Sequence, residues 1–347
     1  MVTVPFKAIS SLLTLLGLAT TTLAGAQEVY LNDAGGTVAE IRREVFYNDF
    51  TKQTGVKVIA SSPTDNAKLK AMVTSGNTLW DIVNNDGAAF HRNIREGLLQ
   101  KLDLSKFPKD KLAAQSVNEY GLWNVPYATV LVWNTKLWPL SGKHPTSILD
   151  LWNQKDFPGP RCLQKGAVDN LEWAVLNAGV APDKRYPIDE KKAYAELDKL
   201  KPNVAVWWTT GAQSMQVIIN GDCVMGTAWN GRPYQLMQKE SAPLGVAWKN
   251  GILHESWWTI PKGAKNVDAA YRLLNFMLDA QRQGALADKS QYAGGVKDAT
   301  NFMTPATRQG LATSTEHLKE IMIADDGGWW VDNGPAAEKR FQEWLLR

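Results

Sequence analysis

The chain has 347 residues, with 38 Lys and Arg against 35 Asp and Glu, so its formal net charge is +3. A nearly neutral chain has no broad basic surface, which argues against a nucleic-acid-binding protein and against a polybasic membrane anchor. A chain of this length is sufficient for about two domains, each with its own hydrophobic core.

Residues 1–26 have the order of features that is typical of an export signal. Lys7 supplies a positive charge, a short apolar run extends from Ile9 to Leu18, and Ala24-Gly25-Ala26 places small residues at a cleavage site. The apolar run is shorter than the roughly 20 residues that a membrane-spanning helix needs. We therefore expect cleavage after Ala26 and a soluble, periplasmic mature chain.

Strands and helices alternate in the part of the chain that follows. The pattern predicts strands at 29–31, 56–60 and 81–83, and a helix follows each of them. This alternation indicates a parallel α/β sheet, in which ligands bind at the carboxyl ends of the strands. Asp33 and Asp86 stand in the turns after the first and third strands, so both are candidate ligand residues. An Asp in such a turn is equally often a helix N-cap.

The second half of the chain continues the α/β pattern. Apolar runs at 125–133 and 257–261 predict segments that cross between two domains, and Asp268 is expected to cap a long amphipathic helix. Further strands and helices are predicted at 147–152, 189–200, 205–208 and 224–229. Cys162 and Cys223 are the two cysteines, and in an oxidising compartment a disulfide is favoured over two free thiols.

No catalytic or cofactor motif is present in the sequence. The four histidines lack metal-ligand spacing, and there is no nucleophile elbow, Walker loop or dinucleotide fingerprint. We predict no metal and no cofactor, and binding is favoured over catalysis. Fifteen tryptophans would also suit sugar stacking, so a secreted carbohydrate-active hydrolase with a carboxylate pair is one alternative. A metal- or anion-binding protein is another, because Gly35-Gly36 could expose backbone N–H donors.

Several short blocks occur in the order and spacing of one known family. They are Phe50 to Ile59, Asp81-Ile82-Val83, Arg95 to Asp103, Val125-Pro126-Tyr127, Lys201 to Ala205, Trp229-Asn230-Gly231 and Trp258 to Asn266. In these blocks the chain resembles the periplasmic solute-binding proteins of ABC importers, and it is most similar to the spermidine/putrescine-binding branch. The resemblance covers nearly the whole mature chain.

The resemblance implies a two-lobed α/β fold of the type II periplasmic-binding-protein class, with a hinge and a ligand cleft between the lobes. Lobe 1 would take residues 27–130 plus 260–300, and lobe 2 would take 131–259 plus 301–347, with both cysteines in lobe 2. It also implies a monomeric binding protein, not an enzyme, that delivers its solute to an inner-membrane ABC permease.

Polyamine-binding members surround the alkyl chain with aromatic side chains and place carboxylates at the ammonium groups. The resemblance puts Trp229 and Tyr292 at aromatic positions and Asp169 at an acidic one, whereas His254 and Ser256 replace an aromatic residue and an acid. The predicted ligand-binding residues are Asp33, Asp86, Tyr127 and Tyr292 in lobe 1, and Asp169, Gln213, Trp229, Arg232 and Ser256 in lobe 2.

Arg232 is the residue that departs most from a polyamine site. Its guanidinium can bind a carboxylate through two hydrogen bonds, and a polyamine would gain nothing from a cation there. The predicted ligand is therefore a small amine-containing solute, either a polyamine or an amino-carboxylate such as a γ-amino acid, and an opine-type conjugate would also fit. Alternatively, Arg232 forms a salt bridge at the surface or between the lobes.

Overall fold

The computed structural model describes residues 1–2, 27–325 and 327–347. The predicted export signal therefore lies outside the described residues, apart from its first two. The strands are β1 (Glu28–Asn32), β2 (Lys57–Ser61), β3 (Ile82–Asp86), β4 (Val117–Asn118), β5 (Gly121–Trp123), β6 (Tyr127–Asn134), β7 (Arg161–Gln164), β8 (Val204–Trp208), β9 (Met225–Trp229), β10 (Leu244–His254), β11 (Ser256–Thr259) and β12 (Met322–Ile323).

The helices surround two separate sheets. They are α1 (Gly36–Arg42), α2 (Asn48–Thr54), α3 (Asn66–Thr74), α4 (Gly87–Arg95), α5 (Asn170–Asn177), α6 (Glu190–Leu200), α7 (Gly211–Ile219), α8 (Gly231–Glu240), α9 (Val267–Met277), α10 (Ala280–Ser290), α11 (Pro305–Gly310) and α12 (Trp329–Leu345). A π-helical segment, Arg43–Tyr47, joins α1 to α2. Within the described ranges, no helix has the length and apolar character that a membrane span requires.

The first sheet has the strand order β2-β1-β3-β11-β5-β4 and belongs to lobe 1. Strands β1, β2 and β3 are parallel, as the strand–helix alternation predicted, and β11 pairs antiparallel with β3. Val29 and Leu31 of β1 are fully buried and pack in one core with Phe46 and Phe50. The alternating pattern of β1 therefore places every second side chain against the helices.

The second sheet has the order β12-β10-β6-β9-β7-β8 and belongs to lobe 2. The long strand β6 pairs antiparallel with β10 and β9, while β7 is parallel to β8 and β9. The predicted disulfide is confirmed: Cys162 of β7 is bonded to Cys223, with Cα atoms 5.8 Å apart. It lies within the buried core of lobe 2.

The chain passes between the lobes slightly earlier than the sequence predicted at two points. Strand β6 begins at Tyr127 in the second sheet, and β11, which contains Trp257 and Trp258, lies in the first sheet. Near the third crossing, Leu311 packs in the lobe 1 core and Ala312 in the lobe 2 core. We therefore propose lobe boundaries of 27–124 plus 256–311 and of 127–254 plus 312–347.

Two local predictions differ from the structure. The sequence places Asn84 and Asn85 in the turn after the third strand, but β3 continues through both of them to Asp86. Asp268 lies in the first turn of α9, and the N-cap position is taken by Asn266. In both cases contacts with distant parts of the chain decide where the element begins or ends.

Candidate functional site

A cleft of about 390 Å³ lies between the lobes. Lobe 1 contributes the end of β3 and the first turns of α4, and lobe 2 contributes the start of β6, the segment before α5, the end of β9 and the middle of α12. Four of the predicted ligand residues line this cleft, namely Asp86, Tyr127, Asp169 and Trp229. The end of β3 thus lies at the cleft, which is where ligands generally bind in open α/β sheets.

Asp86 is the carboxylate that lobe 1 presents to the cleft. Its side chain accepts a hydrogen bond from Asn84 Nδ2 at 3.2 Å, and the Asn84 side-chain carbonyl oxygen accepts from Ser256 at 2.8 Å and from Asn124 at 2.7 Å. Burial raises the pKa of Asp86, while hydrogen bonds from Ser256 and Asn84 and the charge of Arg42 act in the opposite direction. An incoming cation would therefore stabilise the ionised form.

Asp33 lies behind this network and does not line the cleft. Its carboxylate pairs with Arg42 at 2.6 Å, and both side chains are buried. Arg42 also donates to the side-chain carbonyl oxygen of Asn124 at 2.7 Å, and Asn124 in turn bonds to Asn84. Asp33 therefore holds Arg42, whose charge lowers the pKa of Asp86, while the charge of Asp33 itself raises that pKa. Ser256 is also absent from the cleft lining, and its hydroxyl donates to the side-chain oxygen of Asn84.

Two aromatic side chains form a wall of the cleft. The rings of Tyr127 and Trp229 meet edge to face, with centroids 6.0 Å apart. Tyr127 also stacks on His254 at 5.3 Å, and Trp229 packs against the fully buried Trp208 at 5.6 Å. Aromatic faces attract cations and cover alkyl chains, so this wall suits an organic amine.

Asp169 is the acid of lobe 2, and it already has a partner within the protein. Its Oδ1 lies 2.7 Å from Nε2 of His254, and both residues are buried. The backbone N–H of Asp169 donates to Glu172 at 3.0 Å. Glu172 is fully buried and accepts from the Tyr186 hydroxyl, and burial, then the charge of Asp169, raises the pKa of Glu172 to about 7.

The structure does not bring the other predicted residues into the cleft lining. Gln213 lies in the first turn of α7, whose N-cap is Thr210, and its side-chain oxygen accepts from the Thr209 N–H at 2.9 Å. Tyr292 is buried against Gly231, where an added Cβ would lie 2.5 Å from its ring, and burial raises the pKa of Tyr292 to about 12. These contacts belong to the packing around the cleft.

Arg232 lies at the boundary between the lobes, beside the cleft. A Cβ added at Gly36 of lobe 1 would be 3.8 Å from its Nη2, and one added at Gly211 of lobe 2 would be 2.9 Å from its Nε. This Nε is buried, and among the described residues it has no hydrogen-bond partner. Arg232 thus lies between the lobes, but it forms no ion pair with a described carboxylate, so both the ligand contact and the salt bridge stay predictions.

Sequence reasoning missed the lining residues that come from helices. Arg92 of α4 and Trp330, Gly334 and Glu338 of α12 all line the cleft. Positions 330, 334 and 338 form an i, i+4 stripe on one helix face. That spacing is visible in the sequence, but nothing local indicates that this face of α12 meets the other lobe.

Two α/β lobes that are joined by several crossings and enclose a ligand-sized cleft define a two-lobed binding protein. Residues 46–342 match the family model of the bacterial extracellular solute-binding proteins. The γ-aminobutyric acid-binding protein of Pseudomonas aeruginosa is 33% identical over 348 aligned positions, which cover 97% of this chain and 97% of that protein. The chain belongs to the bacterial extracellular solute-binding protein family.

Two further relatives extend this comparison. The spermidine/putrescine-binding periplasmic protein 1 of Haemophilus influenzae is 33% identical over 93% of this chain and 90% of its own. The solved structure of the γ-aminobutyric acid receptor Atu4243 has a TM-score of 0.84 and 30% identity, over 92% of this chain and 98% of that one. These relatives are binding proteins and not enzymes, so they give no support to the hydrolase alternative.

In the described ranges, no group of three or more His, Cys, Asp or Glu could hold a metal ion.

Proposed function

We propose that the protein is the periplasmic solute-binding component of an ABC importer and captures a small amine-containing solute between its lobes. The observation that carries this proposal is the juxtaposition, in one cleft, of the Asp86 carboxylate with the aromatic wall of Tyr127 and Trp229. The relatives that bind γ-aminobutyric acid and polyamines support it, since both ligands contain amines.

The charge of the cleft favours a cationic group in the ligand. Among the described lining residues, Asp86, Asp169 and Glu338 are acids, and Arg92 is the guanidinium. Ammonium groups that leave water need such carboxylates, because an unpaired buried charge is strongly unfavourable. The aromatic wall would cover the methylene groups next to the ammonium.

An amino-carboxylate fits this cleft better than a long polyamine. On lobe 2, Asp169 already bonds to His254. On lobe 1, the carboxylate that lines the cleft is Asp86, which accepts from the Asn84 amide and pairs with no basic side chain of the described residues. A polyamine needs a carboxylate for each of its ammonium groups and would also meet the positive charge of Arg92. We propose Asp86, Tyr127, Asp169 and Trp229 as ligand contacts.

The ligand would bridge the two lobes and stabilise the closed form, which the inner-membrane permease would then recognise. A ligand can shift this equilibrium only through contacts that differ between open and closed forms. The lining residues come from both lobes, which meets this condition. We expect the protein to act as a monomer and to be exported by the sequence at residues 1–26.

Isothermal titration of the purified protein tests this proposal. We expect γ-aminobutyrate to bind more tightly than putrescine or spermidine, and Asp86→Asn to weaken the binding of every amine. A thermal scan gives a second readout, because a ligand at 100 times its Kd adds about 2.7 kcal/mol to stability. Binding of sucrose or Zn²⁺ with no response to any amine would contradict the proposal.

A further inference from the structure

Asp169, an acid that lobe 2 brings to the cleft, has a strained backbone. It is the central residue of a γ-turn, with φ of 68° and ψ of −50°, in which the Asn170 N–H donates to the Val168 carbonyl oxygen at 2.9 Å. A γ-turn with a positive φ is rare, and it persists only where the surrounding structure holds it. Here the Asp169 N–H donates to the buried Glu172 carboxylate at 3.0 Å. The place of Asp169 in the cleft therefore depends on Glu172.

Tyr186 holds Glu172 from outside the cleft. Its hydroxyl oxygen accepts from the Trp330 indole N–H at 3.1 Å and from the Asp325 N–H at 3.3 Å. These two bonds use both lone pairs of the oxygen, so the hydroxyl proton is donated to the Glu172 carboxylate, which lies in hydrogen-bond contact. Arg185 Nε lies 3.7 Å from the same carboxylate. Tyr186 therefore joins α5 to the start of α12 through one oxygen atom.

The Tyr186 network, which consists of Asp169, Glu172, Tyr186 and Trp330, reaches the cleft at both of its ends. Asp169 and Trp330 line the cleft, whereas Tyr186 and Glu172 do not. The Trp330 side chain is buried, so its indole N–H needs an acceptor within the protein. Without the Tyr186 hydroxyl, the Trp330 N–H would lose this acceptor and Glu172 would lose a donor. Both lining residues would then lose a support that lies outside the cleft.

We propose that Tyr186 is a positioning residue of the binding site, which sets the affinity for the ligand without touching it by fixing Asp169 and Trp330 through one hydroxyl group. This inference rests on the proposed function, because Asp169 is one of the proposed ligand contacts. Residues of one hydrogen-bond network are energetically coupled. The loss of the Tyr186 hydroxyl should therefore act on ligand binding through Asp169.

A double-mutant cycle tests this coupling. γ-Aminobutyrate is titrated into the wild type, Tyr186→Phe, Asp169→Asn and the double variant. We expect Tyr186→Phe to weaken binding about tenfold when residue 169 is Asp, and by less than about twofold when it is Asn.

The matched control is Tyr234→Phe in the same lobe. Tyr234 lies on α8, outside the cleft lining, and its hydroxyl accepts from the Trp248 indole N–H at 3.3 Å. This variant loses the same kind of hydrogen bond as Tyr186→Phe and should keep the wild-type affinity. If Tyr186→Phe does not fold, Glu172→Gln tests the same network, because it keeps the shape of the side chain and removes the charge to which Tyr186 donates.

A second readout needs no ligand. Burial, then the charge of Asp169, raises the pKa of Glu172 to about 7, whereas the hydrogen bond from Tyr186 lowers it. Tyr186→Phe removes that hydrogen bond, so the native pKa should rise further and the loss of stability with pH in urea titrations should extend above about pH 7. Glu172→Gln should cancel this difference. The charged and titratable groups around Glu172 are Asp169 before its own helix, His254 of β10, Arg185 and Tyr186 before α6, and Asp325 before α12.

Several outcomes would overturn the assignment. Wild-type affinity in a folded Tyr186→Phe protein would show that the hydroxyl does not act on the site. The same loss with Asp or Asn at position 169, or an equal loss in Tyr234→Phe, would mean a general weakening of lobe 2. If the wild type bound no amine, the proposed function would fail and the ligand role of Tyr186 with it, while the pH profile would still report whether Tyr186 holds Glu172.

Discussion

Replacement of Asp33 by asparagine separates a structural role from a ligand contact. The Asp33 and Arg42 side chains are 2% and 4% exposed and lie 2.6 Å apart. The substituted amide would keep the shape of the residue and could still accept from the Ala34 N–H, which bonds to Asp33 at 2.7 Å. The buried guanidinium of Arg42 would lose its anion, and removal of one partner of a buried pair costs about 3–5 kcal/mol.

The lower end of that range applies here. Arg42 keeps its hydrogen bond to Asn124, and its guanidinium lies 5.2 Å from the centroid of the Trp258 ring, so part of its environment remains favourable. We expect Asp33→Asn to lower the free energy of unfolding by about 3 kcal/mol. With a urea m-value of about 3 kcal/mol/M, the unfolding midpoint of the ligand-free protein would fall by about 1 M.

The matched control is Asp86→Asn, which changes a carboxylate that faces the cleft. Because burial raises the pKa of Asp86, loss of this charge should leave the free energy of unfolding nearly unchanged while amine affinity falls. The double variant Asp33→Asn with Arg42→Met should recover part of the stability, because no unpaired charge remains buried. The reasoning would be refuted by an Asp33→Asn protein that has wild-type stability but has lost its ligand.

Three further measurements test other parts of the structure. Trp229→Ala should weaken binding of an amine by about 1–3 kcal/mol in titrations, because the aromatic wall is lost; unchanged affinity would remove Trp229 from the site. Burial raises the pKa of Glu172 from 4.5 to about 7, so the native state retains a proton that the unfolded chain loses, and the stability contribution of this group falls as pH rises through that window. Glu172→Gln should remove this component, so that the wild type loses stability relative to the variant between pH 4.5 and about pH 7 in urea titrations, and parallel curves would contradict the burial argument. Reduction of the Cys162–Cys223 disulfide, or Cys→Ser at both positions, should lower the free energy of unfolding by about 2–4 kcal/mol, and equal urea midpoints with and without dithiothreitol would show that the bond adds nothing.

Local signals in the sequence were sufficient to predict many of the strands and helices. Helix α3 begins directly after Asp65, a residue type that favours helix starts, and the Asp65 carboxylate accepts from the Lys68 N–H. The end of β3 shows where such signals fail. Asn85 donates to the Thr259 hydroxyl at 2.7 Å on β11, so a polar pair that is typical of a turn is held within the sheet by a strand far along the chain.

Some residues of the candidate site could likewise be predicted from the sequence, and others could not. Asp86 ends β3, so a rule about strand ends was enough to suggest it, whereas Trp229 and Asp169 were suggested by the family resemblance. Asp33 also follows a strand, but Arg42, one helical segment later, takes its carboxylate. The lining of α12 depends on which face of that helix meets α4, and this is set by packing between lobes that no local pattern encodes.

The position of β11 has a consequence for how the protein can be made and divided. This strand lies between β3 and β5 in the first sheet, so the sheet cannot be completed until Thr259, its last residue, has left the ribosome, long after the first three strands. Most of lobe 2 is contiguous and could fold earlier, since contacts near in sequence form faster than distant ones. No cut at a single peptide bond yields either lobe whole, so any attempt to express one lobe alone must join the ends of two separate stretches of chain.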